Sequence, residues 1–116
     1  MTRAVLIGRR VAIAKAGRAA FWRKLKAMED EPLIPGALSL IGPQKGKRGA
    51  IALAVRKDGK LKSWYVPSQE RAEVRAHVEN YRVARELLAK IARCDLALLK
   101  LRVKARKLSE RAERSR

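Results

Sequence analysis

Ala50-Ile51-Ala52-Leu53-Ala54-Val55-Arg56-Lys57-Asp58-Gly59-Lys60-Leu61-Lys62-Ser63-Trp64-Tyr65-Val66 is the stretch on which the fold turns. Two runs of strand-forming residues flank Asp58-Gly59, a dipeptide that tolerates the positive φ of a tight hairpin turn. Setting Lys57 opposite Lys60 puts Ile51, Leu53, Val55, Trp64 and Val66 on one face, which reads as a core face. Ala52, Ala54, Ser63 and Tyr65 fall on the other, small and partly polar, open to close approach by a helix or a nucleic acid. Upstream, Leu38-Ser39-Leu40-Ile41 reads as a further strand entered through the Pro35-Gly36 turn.

Beyond the hairpin, Pro67-Ser68 announces a helix, with Ser68 as N-cap and Glu70 favourable in the first turn. No Gly or Pro follows, so the helix is expected to run to about Arg111. Ala84, Leu87, Ile91, Cys94, Leu98, Leu101, Ala105 and Leu108 alternate spacings of three and four, a heptad track. Leu88, Leu96, Leu99 and Val103 lie off it, so the helix is apolar over more than a two-stranded coil needs. The expectation is a seam of Leu87, Ile91, Cys94, Leu98 and Leu101 for oligomerisation, with residues 7–28 covering part of the remainder. In a parallel dimer Lys90 would face Asp95 of the other copy.

Ahead of the sheet, Ile7, Val11, Ala14, Phe21, Leu25 and Met28 recur at helical spacing, with Arg18 in the one wide gap. Gly8 and Gly17 weaken that helix, and Glu29-Asp30-Glu31 followed by Pro32 end it. The first 28 residues hold no acid, as in organelle presequences, but serine is missing and the stripe has a later helix to pack on. The fold expected is α+β: an N-terminal amphipathic helix, a small antiparallel sheet of two or three strands, and a long coiled-coil-like C-terminal helix. Residues 1–67 hold the first two and 68–116 the last, as a single structural unit.

Of the 116 residues, 29 are Lys or Arg and 11 are Asp or Glu, a formal charge of +18. A surface this basic repels its own copies until a polyanion gathers round it, and nucleic acid is the commonest polyanion of a cell. A hydrophobic share of 47% is enough to fold, which argues against wholesale disorder. One cysteine and one histidine exclude a disulfide framework and a Cys/His zinc site. The longest apolar run, Ala50 to Val55, is far short of a membrane span. No cofactor and no metal are expected, and the location expected is cytoplasmic.

Gln44 to Gly49 offers Lys45, Lys47 and Arg48 beside glycines that let backbone approach a phosphate. The hairpin adds Arg56, Lys57, Lys60 and Lys62, with Trp64 and Tyr65 available for stacking. The competing reading makes Trp64 core and the lysines guards of an exposed edge strand. On the long helix Arg82, Arg85 and Arg93 suit a phosphate backbone; the plainer reading is a solvated face, paired at Glu86–Lys90 and Arg106–Glu110. Cys94 reads as a small buried hydrophobe, and His77 stands in no catalytic constellation. Neither a phosphate loop nor a dinucleotide fingerprint is present, so an enzyme is not expected.

Pro35-Gly36-Ala37-Leu38-Ser39, a basic loop, Asp58-Gly59-Lys60 and Tyr65-Val66-Pro67 form one half of a familiar order. Glu73-Val74-Arg75, Glu79-Asn80-Tyr81-Arg82 and Leu98 to Arg102 form the other. Across roughly residues 35–102 the chain resembles a widespread, uncharacterised family of short prokaryotic proteins found near transposases and mobile elements. Many members carry a cysteine cluster in the loop between the first two strands; this chain has Gly42 to Gly49 there without cysteine. The resemblance implies nucleic-acid association in a mobile-element setting and carries over no activity.

The function expected is therefore non-enzymatic nucleic-acid binding through the phosphate backbone, as an accessory or assembly factor of a mobile-element or ribonucleoprotein complex. DNA is slightly favoured over RNA by the resemblance, while a β-ribbon beside basic loops suits RNA equally. The alternative is a coiled-coil adaptor or scaffold that holds itself or a protein partner. A membrane-surface role for residues 3–28 lacks a broad apolar face.

Overall fold

The computed structural model describes residues 2–41 and 50–115. In chain order these form α1 (Arg3–Lys26), β1 (Ala37–Ile41), β2 (Ala50–Lys57), β3 (Lys60–Val66), a 3-10 turn (Ser68–Glu70) and α2 (Arg71–Arg114). This is the α+β architecture read from the sequence, with three strands. The chain does not divide at 67/68, however. Met1–Glu29 and Glu86–Arg116 make one compact unit, and Asp30–Arg85 makes the other.

In the unit of residues 30–85 the strand order is β1-β2-β3, antiparallel throughout. Lys57 pairs with Lys60 as expected, Leu53 with Trp64, and Ile51 with Val66. Asp58 (φ 52°) and Gly59 (φ 78°) both take the left-handed region that a two-residue hairpin turn demands. Gly36 (φ 122°) is required for a second reason. A Cβ there would strike the Ala54 carbonyl oxygen and stand 2.9 Å from Val55 Cγ2. Cover over the sheet is local: Val66 and Ala52 alternate to opposite sides and are the two buried strand residues among those described. The Ile34 amide donates to the His77 carbonyl (3.2 Å), tying the segment before β1 to α2.

Ser68 does not cap the long helix. Pro67, with φ −57° and ψ 148°, begins a tight turn, and the Glu70 amide donates to the Pro67 carbonyl (3.0 Å). No side chain caps that turn. Proline presets the φ that a 3-10 turn uses, so the backbone closes its own entrance and the serine hydroxyl is not called upon.

In the unit of residues 1–29 and 86–116, α1 starts earlier than its apolar spacing suggests. The Thr2 hydroxyl oxygen accepts from the Val5 amide (3.2 Å), a side-chain cap of the usual kind. Arg23, Lys24 and Lys26 occupy its last turn, where the helix dipole favours cations, and the three acids follow beyond it. α1 and α2 run antiparallel: Gly17 lies by Cys94, Phe21 by Lys90, and Arg3 beside Leu108 and Arg111. A Cβ on Gly17 would stand 3.9 Å from Cys94 Sγ, an ordinary van der Waals contact that the pairing could accommodate.

The heptad seam is the face that this pairing takes. Leu87, Ile91 and Leu101 keep 7, 3 and 8% of their surface, and Cys94 and Leu98 are half-buried, within a single chain. The sequence reading reserved these five for oligomerisation and left the remainder to residues 7–28. The chain's own first helix lies against this seam instead, because an antiparallel neighbour tethered in the same chain needs no association entropy. Lys90 and Asp95, expected to meet between copies, are likewise engaged at home with Phe21 and Arg18.

Candidate nucleic-acid interface

Strand alternation and the Lys57–Lys60 pairing determine which cations share a face. Lys57, Lys60 and Lys62 line up on the side that also carries Trp64, while Arg56 shares the opposite side with Leu61, Ser63 and Tyr65. The register, which is the one expected, parts the four cations and two aromatics of the hairpin into two sets. All four cations are exposed, and none makes an ion pair among the described residues.

Trp64 keeps 49% of its surface although it sits on the expected core face, because β3 is an edge strand and only Val66 at its end is buried. Tyr65, 63% exposed, faces the other way. An open indole beside three lysines allows a base to stack while its phosphates meet ammonium groups. An edge strand carrying lysines also discourages sheet-to-sheet association, and the two roles do not conflict.

Lys45, Lys47 and Arg48 lie outside the described residues. On α2 the three arginines differ in kind. Arg82 donates from Nε to Glu79 Oε2 (3.1 Å) and pairs again through Nη2 with Oε1. This fork neutralises much of its charge, and the bonded guanidinium holds the Glu79 carboxyl below its usual pKa of 4.5. Arg85 is exposed and makes no ion pair among the described residues. Arg93 belongs to the other unit, where its Nε reaches back to the Ala89 carbonyl at 3.5 Å. Arg106 and Glu110 stand 3.7 Å apart, as their spacing suggests.

A second cationic cluster was not legible in the sequence. Arg3 and Arg10 of α1 converge with Lys104, Lys107 and Arg111 of α2 in the helix-pair unit. Its two halves lie a hundred residues apart, and only the antiparallel pairing of the helices brings them together. A signal existed in the absence of acids from the first 28 residues and their scarcity after Asp95.

Among the described residues no group of three His, Cys, Asp or Glu side chains is placed to hold a metal ion. No helix among them is long and apolar enough to cross a membrane. No family model, curated protein or solved structure matches this chain.

Proposed function

We propose that this chain is a non-enzymatic nucleic-acid-binding protein that grips the phosphate backbone through its β2–β3 hairpin. The observation that carries the reading is the row of Lys57, Lys60 and Lys62 on one face of the hairpin end, unpaired among the described residues and on the side of half-exposed Trp64. A two-stranded ribbon fits the major groove of a duplex, and an exposed ring suits a single strand. Few side chains there read base edges, so affinity comes from charge and carries little sequence preference. The net charge of +18 supports an accessory or assembly factor of a nucleic-acid complex, which we place in the cytoplasm and in a mobile-element or ribonucleoprotein setting.

The test is fluorescence anisotropy with labelled duplex DNA, single-stranded DNA and RNA over a range of salt. If about six to eight phosphates are neutralised, log affinity for duplex falls against log salt with a slope of roughly −5 to −7. Replacing Lys57, Lys60 and Lys62 by Gln makes that slope shallower by about 2–3. A flat salt response, or a slope untouched by the triple change, rejects the hairpin as the grip.

The adaptor reading keeps one observation in its favour. Leu88, Leu96 and Leu99 of α2 are about half exposed, Leu99 at the edge of a groove it shares with Ile7, Val11 and Lys15 of α1. In that reading these exposed leucines, and not the buried seam, meet the partner.

A further inference from the structure

A pair of antiparallel helices hides one stripe on each member, so its core stays thin until a third element joins. In this unit α1 has no fully buried residue. Val5, Leu6 and Ile13 on α1 remain exposed, Ile13 at 73%. On one side of the pair, Leu6, Ile7 and Leu108 floor a groove of about 340 Å³. Arg3, Arg10, Lys104, Lys107 and Arg111 wall it, and no carboxylate does. None of these five cations makes an ion pair among the described residues.

The geometry points to a docking site for an acidic amphipathic helix of another polypeptide, its aliphatic side chains on the floor and its carboxylates on the rim. Each wall advances by three, four or seven residues along its own helix, the spacing at which an incoming helix presents its anchors. Charge selects the partner. Eighteen of the 29 cations and only five of the 11 acids belong to this unit, so a second copy sets like against like. The floor argues against nucleic acid. It holds no aromatic ring for a base to stack on, and a polyphosphate along the rim leaves three aliphatic side chains wet. This site is independent of the hairpin.

The experiment uses the full chain and a labelled peptide of about 18 residues built from Glu, Ala and Leu, with leucines spaced three and four apart. A second peptide has the same composition with the leucines scrambled. At about 0.15 M ionic strength the patterned peptide binds roughly tenfold or more tightly than the scrambled one. Arg10→Glu with Lys107→Glu abolishes that binding while helical circular dichroism is retained. Leu6→Ser, at an already exposed position, weakens the patterned peptide several-fold and leaves the scrambled one as it was. Lys60→Glu with Lys62→Glu leaves the peptide untouched and weakens oligonucleotides, which separates this site from the hairpin. The proposal is overturned by equal affinity for the two peptides, or by peptide binding that survives the reversal at Arg10 and Lys107. It also falls if Leu6→Ser costs single-stranded DNA or phosphatidylserine vesicles as much affinity as it costs the peptide, because the floor then serves that ligand.

Discussion

Arg18 Nε donates to Asp95 Oδ1 at 2.6 Å, joining α1 to α2 across 77 residues of sequence. It explains a cation in an otherwise apolar stripe. The guanidinium also stands 5.8 Å from the Trp22 ring, and one turn on, Lys90 stands 5.5 Å from the Phe21 ring. Both partners of the ion pair are about half exposed, so its coupling energy is small. A double-mutant cycle with Arg18→Ala and Asp95→Ala is expected to give about 0.2–1 kcal/mol, falling with added salt. A coupling of zero at low salt shows that the pair adds nothing to the joining of the helices.

The seam and the outer stripe of α2 respond differently to the same change. Leu101→Asp puts a carboxylate where 8% of the side chain's surface is open, and the helix pair loses its fold. Leu99→Asp, at a position 46% exposed, costs less than about 1 kcal/mol. Thermal unfolding by circular dichroism, with sedimentation to follow mass, distinguishes them. Loss of assembly from Leu101→Asp with an intact monomer restores the seam to a partner chain.

Gly36→Ala forces both an unfavourable φ and a collision with the Ala54 carbonyl. The cost is about 2–3 kcal/mol, read as a lower unfolding midpoint in urea. Gly8→Ala meets nothing within 4 Å and gains helix propensity, so it is expected to stabilise slightly.

These contrasts show what a linear reading captures. Asp58-Gly59 announced its turn because both residues tolerate positive φ, and the Lys57–Lys60 register followed from it. A small antiparallel sheet of two or three strands and both helices were legible for the same reason: local chemistry and periodicity agreed. A heptad track, by contrast, identifies a face but not whose helix will cover it, so Leu87 to Leu101 were assigned to another chain. Ser68 misled because Pro67 had already closed the turn. The cluster around Arg3 and Lys107 belongs to no local pattern at all.

Trp64→Ala is expected to weaken single-stranded nucleic acid by about 1–3 kcal/mol while duplex affinity changes little. Tyr65→Ala, on the opposite face, leaves both nearly unchanged. Equal losses from the two substitutions contradict a one-sided hairpin contact.

Glu79 offers a pH-dependent readout. Its pKa is depressed in the folded chain by the Arg82 guanidinium. The pair's contribution is therefore fully present above the ordinary carboxylate range and is lost as pH falls through the lower folded value. Carbon-detected NMR titration of the Glu79 carboxyl follows this directly, and Arg82→Gln raises its midpoint toward 4.5. A midpoint that stays put after that change means another group holds the carboxylate.

One uninterrupted helix, Arg71–Arg114, furnishes residues to both compact units, and no glycine or proline marks where one stops and the other begins. Neither unit is therefore a cassette: truncation at residue 85 severs a helix in mid-turn and strips the upstream helix α1 of its only helical neighbour among the described residues. Genetic exchange that swaps the hairpin for another must splice into a strand end or a turn, for the rod itself admits no join.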